Sequence, residues 1–134
     1  MTARTSAPPQ NFTFKDNPVA AGRAGHYMEI TVDCDKVMKS WRSSLFSFEW
    51  LLPDGRIKST AELPAHEQPR REAVEQALSS GQALEKPILG IGMIDNVEIG
   101  SGRATFLTLV AHGAKTIPVH IPVSNEADFK KFRV

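Results

Sequence analysis

Residues Pro87–Pro122 read PILGIGMIDNVEIGSGRATFLTLVAHGAKTIPVHIP and sketch a strand, a turn, a strand, a glycine-rich loop, a helix and a strand. Ile88, Leu89 and Ile91 form a short apolar run, Asp95-Asn96 is a turn dipeptide, and Val97–Ile99 is the returning strand. Gly100-Ser101-Gly102-Arg103 follows. Phe106, Leu109 and Val110 then recur at helical spacing, with Leu107 widening the face, so Ser101–His112 reads as a helix. Gly113 stands where a left-handed C-cap belongs. In Thr116–Ile121, Ile117, Val119 and Ile121 share one face of a strand. Pro118 within it asks for an edge, or for a ladder position that needs no N–H.

A loop between a strand and a helix start is a natural anion site. The first amides of a helix have no intrahelical acceptor, and the dipole is positive there. Gly100 and Gly102 let a phosphate come close to the backbone, Ser101 Oγ adds a hydrogen bond, and Arg103 offers a bidentate partner. The plainer alternative is a tight turn with Ser101 as N-cap and Arg103 in solvent. Asp95 and Glu98 flank the loop and are the candidate Mg²⁺ carboxylates, since magnesium favours one or two carboxylates beside phosphate oxygens. They read equally as a turn former and a solvated strand residue. His112 falls at the helix C-terminus, where the dipole favours an imidazolium. His120 points away from the apolar strand face, towards solvent. Four histidines and one cysteine show no zinc-ligand spacing.

Working outwards, residues 1–25 are rich in Pro, Ala, Gly, Ser and Thr and read as a flexible N-terminal arm, with Phe12 and Phe14 able to dock as a short extended piece. Residues 26–134 read as one domain. Tyr27–Val32 alternates as a strand, and Asp33 or Asp35 can cap a helix carrying Val37, Met38 and Trp41. Leu45–Leu52 suits a strand, Pro53-Asp54-Gly55 a turn, and Arg56–Thr60 a return, which together predict a β-hairpin. Trp41, Phe46, Phe48 and Trp50 read as packing, or, if exposed, as a partner surface. Beyond the breaker Pro64–Pro69, Ala73, Val74, Ala77 and Leu78 mark a helix closed by Ser79-Ser80-Gly81. Arg70, Arg71 and Lys86 are candidates for a basic rim near the loop, or for a solvated helix face. Ser124 can cap a last short helix through Phe129 and Phe132. The fold class is mixed α/β (α+β).

The chain has 134 residues, 41% of them hydrophobic, enough for a buried core in a single domain. Its formal charge of +1 lacks the basic excess of a typical nucleic-acid binder, so DNA contact would need a local patch. One cysteine, Cys34, excludes an internal disulfide and fits a cytoplasmic setting. No apolar run reaches the roughly 20 residues of a bilayer span, and no secretion signal is apparent.

The ordered pattern of Lys86-Pro87-Ile88-Leu89, a turn, Gly100-Ser101-Gly102-Arg103, an apolar helix and Gly113 with Ile117-Pro118-Val119 resembles the ParB/sulfiredoxin-like superfamily. The likeness covers Gln68–Ile121 and includes Gln68-Pro69-Arg70. The superfamily's phosphate signature, a Gly and an Arg three positions on, matches Gly100 and Arg103. The resemblance implies a small mixed sheet with flanking helices, the hairpin being an N-terminal addition. It implies binding of a nucleoside triphosphate with Mg²⁺, with weak NTPase or nuclease activity and a plasmid- or DNA-related role. The alternative is a non-enzymatic interaction module, such as a modulator of conjugation. Three departures matter. Ser101 stands where sulfiredoxins have the nucleophilic cysteine, so thiolate chemistry is not expected. Ser101-Gly102 replaces the Glu-Arg of partition proteins, and the residues after Ile121 leave little length for a helix-turn-helix domain. Ile99, Ser101 and Gly102 replace the acidic and histidine residues of the serine-kinase branch.

Overall fold

A computed structural model describes residues 12–134. The first half contains β1 (Phe14–Lys15), α1 (Pro18–Ala21), β2 (Tyr27–Asp33), α2 (Cys34–Trp41) and α3 (Ser47–Trp50). The second contains α4 (Gln68–Ser80), β3 (Leu84–Glu85), β4 (Leu89–Ile91), β5 (Val97–Ile99), α5 (Arg103–Ala111) and β6 (Thr116–Pro122). Three short 3₁₀ turns complete the described chain. The fold is mixed α+β, as its sequence pattern predicts.

β2 and β6 form the central antiparallel pair, from Tyr27 opposite Pro122 to Asp33 opposite Thr116. Met28, Ile30 and Val32 meet Ile121, Val119 and Ile117 on one face. Such apolar cross-strand pairs fix the register, because a slip of one residue would turn every one of them to the other face. Single bridges extend both edges: Val32 pairs with Arg133, and His120 with Ile88. Pro118 is accommodated by parity. The bond from His120 N–H to Pro87 C=O shows that even-numbered β6 amides point away from β2, so the missing N–H of Pro118 interrupts no β2–β6 bond. β4 and β5 form an antiparallel hairpin, with Leu89 opposite Ile99.

Local signals set the helix ends. Asp33 caps α2 by accepting from Lys36 N–H at 3.1 Å. Gly81 closes α4 in the left-handed conformation, φ +71°. One continuous core joins the β2–β6 face to α2, α5 and the chain end, and Trp41, Trp50, Phe106 and Phe129 are fully buried within it. α5 is buried over Phe106, Leu107, Thr108 and Leu109, while Val110 is only half-buried.

Three expectations are corrected. The short extended piece at Phe14 docks as expected, with β1 pairing in parallel with β3, but residues 16–21 are not loose either, since Asn17 and Ala20 are buried. Asn17-Pro18 explains this, being an N-cap followed by the residue best suited to open a helix. The rest of the predicted arm, residues 1–11, lies outside the described residues. The predicted hairpin over Leu45–Thr60 is present only as a short antiparallel return around the Pro53–Gly55 turn, with Leu52 N–H donating to Arg56 C=O and Lys58 N–H to Trp50 C=O, while Ser47–Trp50 forms a turn of helix, α3, in place of the first strand. Trp50 in α3 is fully buried, and its Nε1–H donates to Glu67 Oε1 at 2.8 Å, just before α4. The last predicted helix is two separate 3₁₀ turns. Pro122, and not Ser124, precedes the first of them, although Phe129 and Phe132 are buried as expected.

Candidate anion loop and its polar clasp

The Gly100–Arg103 loop is stitched to the strand beside it. Gly100 N–H donates to Ile88 C=O, and Ile88 N–H to Ser101 C=O, each at 2.9 Å. Gly102 must be glycine for two reasons. Its φ is +85°, and a Cβ there would lie 2.9 Å from Pro87 Cα. The residue type is therefore demanded by packing and backbone conformation. Gly102, not Ser101, is the N-cap of α5, and Phe106 N–H donates to its carbonyl.

Arg103 is not in solvent. Its guanidinium lies 4.8 Å from the centroid of the Phe46 ring, and Nη2 donates to Ile99 C=O at a long 3.4 Å. Its Nε is buried and has no hydrogen-bond partner among the described residues. The side chain is thus held at the helix start by stacking, with hydrogen-bonding capacity to spare.

On the other side of the loop lies a group of polar residues that the sequence pattern does not gather. Asn17, 1% exposed, is its centre. Its Nδ2 donates to Lys86 C=O and to Ser101 Oγ, both at 3.0 Å, and its Oδ1 accepts from Val19 N–H at 2.9 Å. Its own N–H donates to His120 Nε2 at 3.2 Å. That bond fixes a neutral tautomer with the proton on Nδ1. Burial lowers the His120 pKa, against the opposing pull of Asp16. Lys86 Nζ bridges Asp16 Oδ1 at 2.8 Å and Glu29 Oε1 at 2.7 Å. Those hydrogen bonds, Asp16 first, raise its pKa, and the Lys86 bond in turn lowers that of Asp16. His120 lies on the outer face of β6, as alternation predicts, but it is buried, because Asp16 and Asn17 cover that face. The signal that could have exposed this clasp is the Asn17-Pro18 dipeptide; Asp16 and Glu29 carry no sequence signal of their own.

The remaining sequence-nominated residues fall elsewhere. Asp95 is exposed in the β4–β5 turn with φ +61°. Glu98 Oε1 accepts from Ser44 Oγ at 2.7 Å and Oε2 from Asn96 Nδ2 at 3.0 Å. Its carboxylate lies across Gly92, where a Cβ would be 2.9 Å from Glu98 Cγ. Both Glu98 oxygens thus accept hydrogen bonds within the protein, while Asp95 faces solvent. Among the described residues no group of three or more His, Cys, Asp or Glu side chains could hold a metal ion.

Arg70, Arg71 and Lys86 share no partner. Arg71 is buried, donating to Glu75 Oε2 at 2.9 Å and to Lys58 C=O at 3.1 Å. Arg70 is exposed and sits 3.6 Å from Glu67. Only Lys86 adjoins the loop. His112 lies 2.7 Å from Glu75, whose carboxyl is pushed up by burial but held lower overall by hydrogen bonds from Arg71 and His112. Burial, aided by Asp33 and Asp35, pushes the Cys34 thiol up to about 12, so it is no nucleophile.

Comparison with protein-family models, curated proteins and solved structures finds no match to this chain. No helix among the described residues is long and apolar enough to cross a membrane.

Proposed function

We propose that this chain is an anion-binding domain of ParB/sulfiredoxin-like type that holds the phosphates of a nucleotide at Gly100, Ser101, Gly102 and Arg103. The observation that carries the reading is Arg103, held at the start of α5 by the Phe46 ring with its Nε lacking a partner among the described residues. A buried donor without an acceptor is costly, so a shift of the side chain that brings Nε to a phosphate oxygen would be favoured. The free amides at the start of α5 would share the anion. Ser101 Oγ accepts from Asn17, which leaves its own proton for the ligand. Lys86 adds positive potential beside the loop, although two carboxylates already neutralise it. No catalytic step is assigned. The loop has no thiolate, and the nearest imidazole spends Nε2 on a backbone amide.

Calorimetric titration with ATP, CTP and GTP, with and without Mg²⁺, tests this. Saturable binding is expected, and Arg103→Ala should weaken it by about 1.5–3 kcal/mol. Arg103→Lys keeps the charge and serves as the folding control. No heat with any nucleotide overturns the reading.

A second reading, a non-enzymatic interaction module, is favoured by a different observation. Leu45, Phe46 and Phe48 on one segment, and Met93 and Ile94 in the β4–β5 turn, expose large apolar side chains. The two segments are tied together where Ser44 Oγ donates to Glu98. Adjacent exposed apolar groups of this size mark contact surfaces.

A further inference from the structure

We propose that the groove between α3 and the Pro53–Gly55 turn docks an acidic peptide segment carrying an apolar side chain. The groove has a volume of about 540 Å³ and is lined by Arg42, Phe48, Leu51, Leu52, Pro53 and Lys58. Its floor is aliphatic and its rim is cationic. Among the described residues no carboxylate lines it.

Both cations are preset. The Arg42 guanidinium lies flat against Gly55, where a Cβ would come within 3.0 Å of Cζ. Gly55 has φ +91°, so glycine both makes the turn and leaves room for the guanidinium. Lys58 Nζ donates to Phe48 C=O at 2.9 Å, which pins the ammonium at the groove edge. Among the described residues neither cation lies within 4.0 Å of a carboxylate, whereas neighbouring Arg56 is paired with Asp54. Glu62 is near Lys58, but its Oε1 accepts from Ser59 N–H in a capping box. Phe48 is 69% exposed beside them. An exposed ring, an aliphatic floor and two carboxylate-free cations fit a chain that presents Asp or Glu next to a Leu- or Phe-like side chain. A nucleic acid fits less well. The groove offers one ring for stacking and two charges for phosphates, on a chain of net charge +1.

The inference gives the interaction reading a partner class and is independent of the anion loop. It is tested by fluorescence anisotropy with a labelled acidic peptide of alternating Glu and Leu, a matched Lys–Leu peptide and a ten-nucleotide oligothymidylate. The acidic peptide should bind saturably and weaken as salt rises, with the Lys–Leu peptide failing to bind. Arg42→Glu and Lys58→Glu should each weaken binding at least tenfold. Phe48→Ala, at an exposed position where folding is safe, should also weaken it, by several-fold. Arg103→Ala should leave peptide binding unchanged, so failure of the nucleotide reading and failure of this one are separable. Equal binding of the Lys–Leu peptide overturns the proposal, as does no binding at all or preference for the oligonucleotide. Loss of acidic-peptide binding in Met93→Ser/Ile94→Ser, with Arg42→Glu unaffected, moves the surface to the β4–β5 turn and likewise overturns it.

Discussion

The two sides of Arg103 are built on opposite principles. Towards β6, Asn17, Ser101, Lys86 and His120 satisfy one another through short hydrogen bonds, and Asn17 is sealed from solvent. Towards α3, Phe46 and Phe48 are exposed, and among the described residues Arg42 and Lys58 have no carboxylate within 4.0 Å. The first side is bonded mostly within itself, with the Ser101 hydroxyl proton left to donate. The second has little internal competition and can engage a partner without rearrangement. Substitutions on the first side should therefore be read in stability, and those on the second in binding.

The largest effect is expected where the clasp meets the loop. Gly102→Ala forces a left-handed alanine against Pro87 and should cost about 2–4 kcal/mol in urea unfolding. A wild-type-like midpoint would mean that the loop is looser than its bonds to Ile88 imply. Asn17→Ala removes a helix cap and strands the groups it joins, at about 2–3 kcal/mol. If it costs nothing, residues 12–21 are not integral and the contrast between the two sides collapses.

Acidification should show a smaller effect. The His120 pKa is lowered in the folded protein, so the unfolded chain binds more protons just below the ordinary imidazole value of about 6.5. The stability it contributes is complete above that pH and is lost as pH falls towards the folded value. His120→Gln, which can still accept from Asn17, should flatten the pH dependence of thermal unfolding between pH 7 and pH 5; an unchanged slope would assign it to other groups. The smallest effect is expected across the groove. Phe48→Ala should shift stability by no more than about 0.5 kcal/mol, and a larger loss would show that the ring is structural.

Legibility in the sequence follows the same divide between local and long-range causes. β2, α2, α4, α5 and β6 were readable because caps and periodicity are local signals: Asp33, Gly81 and Gly113 sit at the ends they mark. Within the 45–60 segment the turn and return are legible, but Ser47–Trp50 is helical although its aromatics favour a strand locally, with Trp50 bonded to Glu67 beyond the turn. Within the candidate site, the Gly100–Arg103 turn was legible as a strand-to-helix junction. The destination of Arg103 depends on Phe46, far away in sequence, and was not. Alternation gives the face of His120 but leaves it in solvent, because its cover, Asp16 and Asn17, is about a hundred positions away in sequence.

That long reach bears on how the chain acquires its structure. Asn17 and His120 are 103 positions apart, and β2 has no partner strand until β6 arrives. During synthesis the apolar face of β2 must wait until residues 116–122 emerge, so the central pair closes late and with a large loop-closure cost. A nascent chain stopped before β6 leaves Met28, Ile30 and Val32 on an unpaired edge, the kind of segment that recruits another strand or a chaperone.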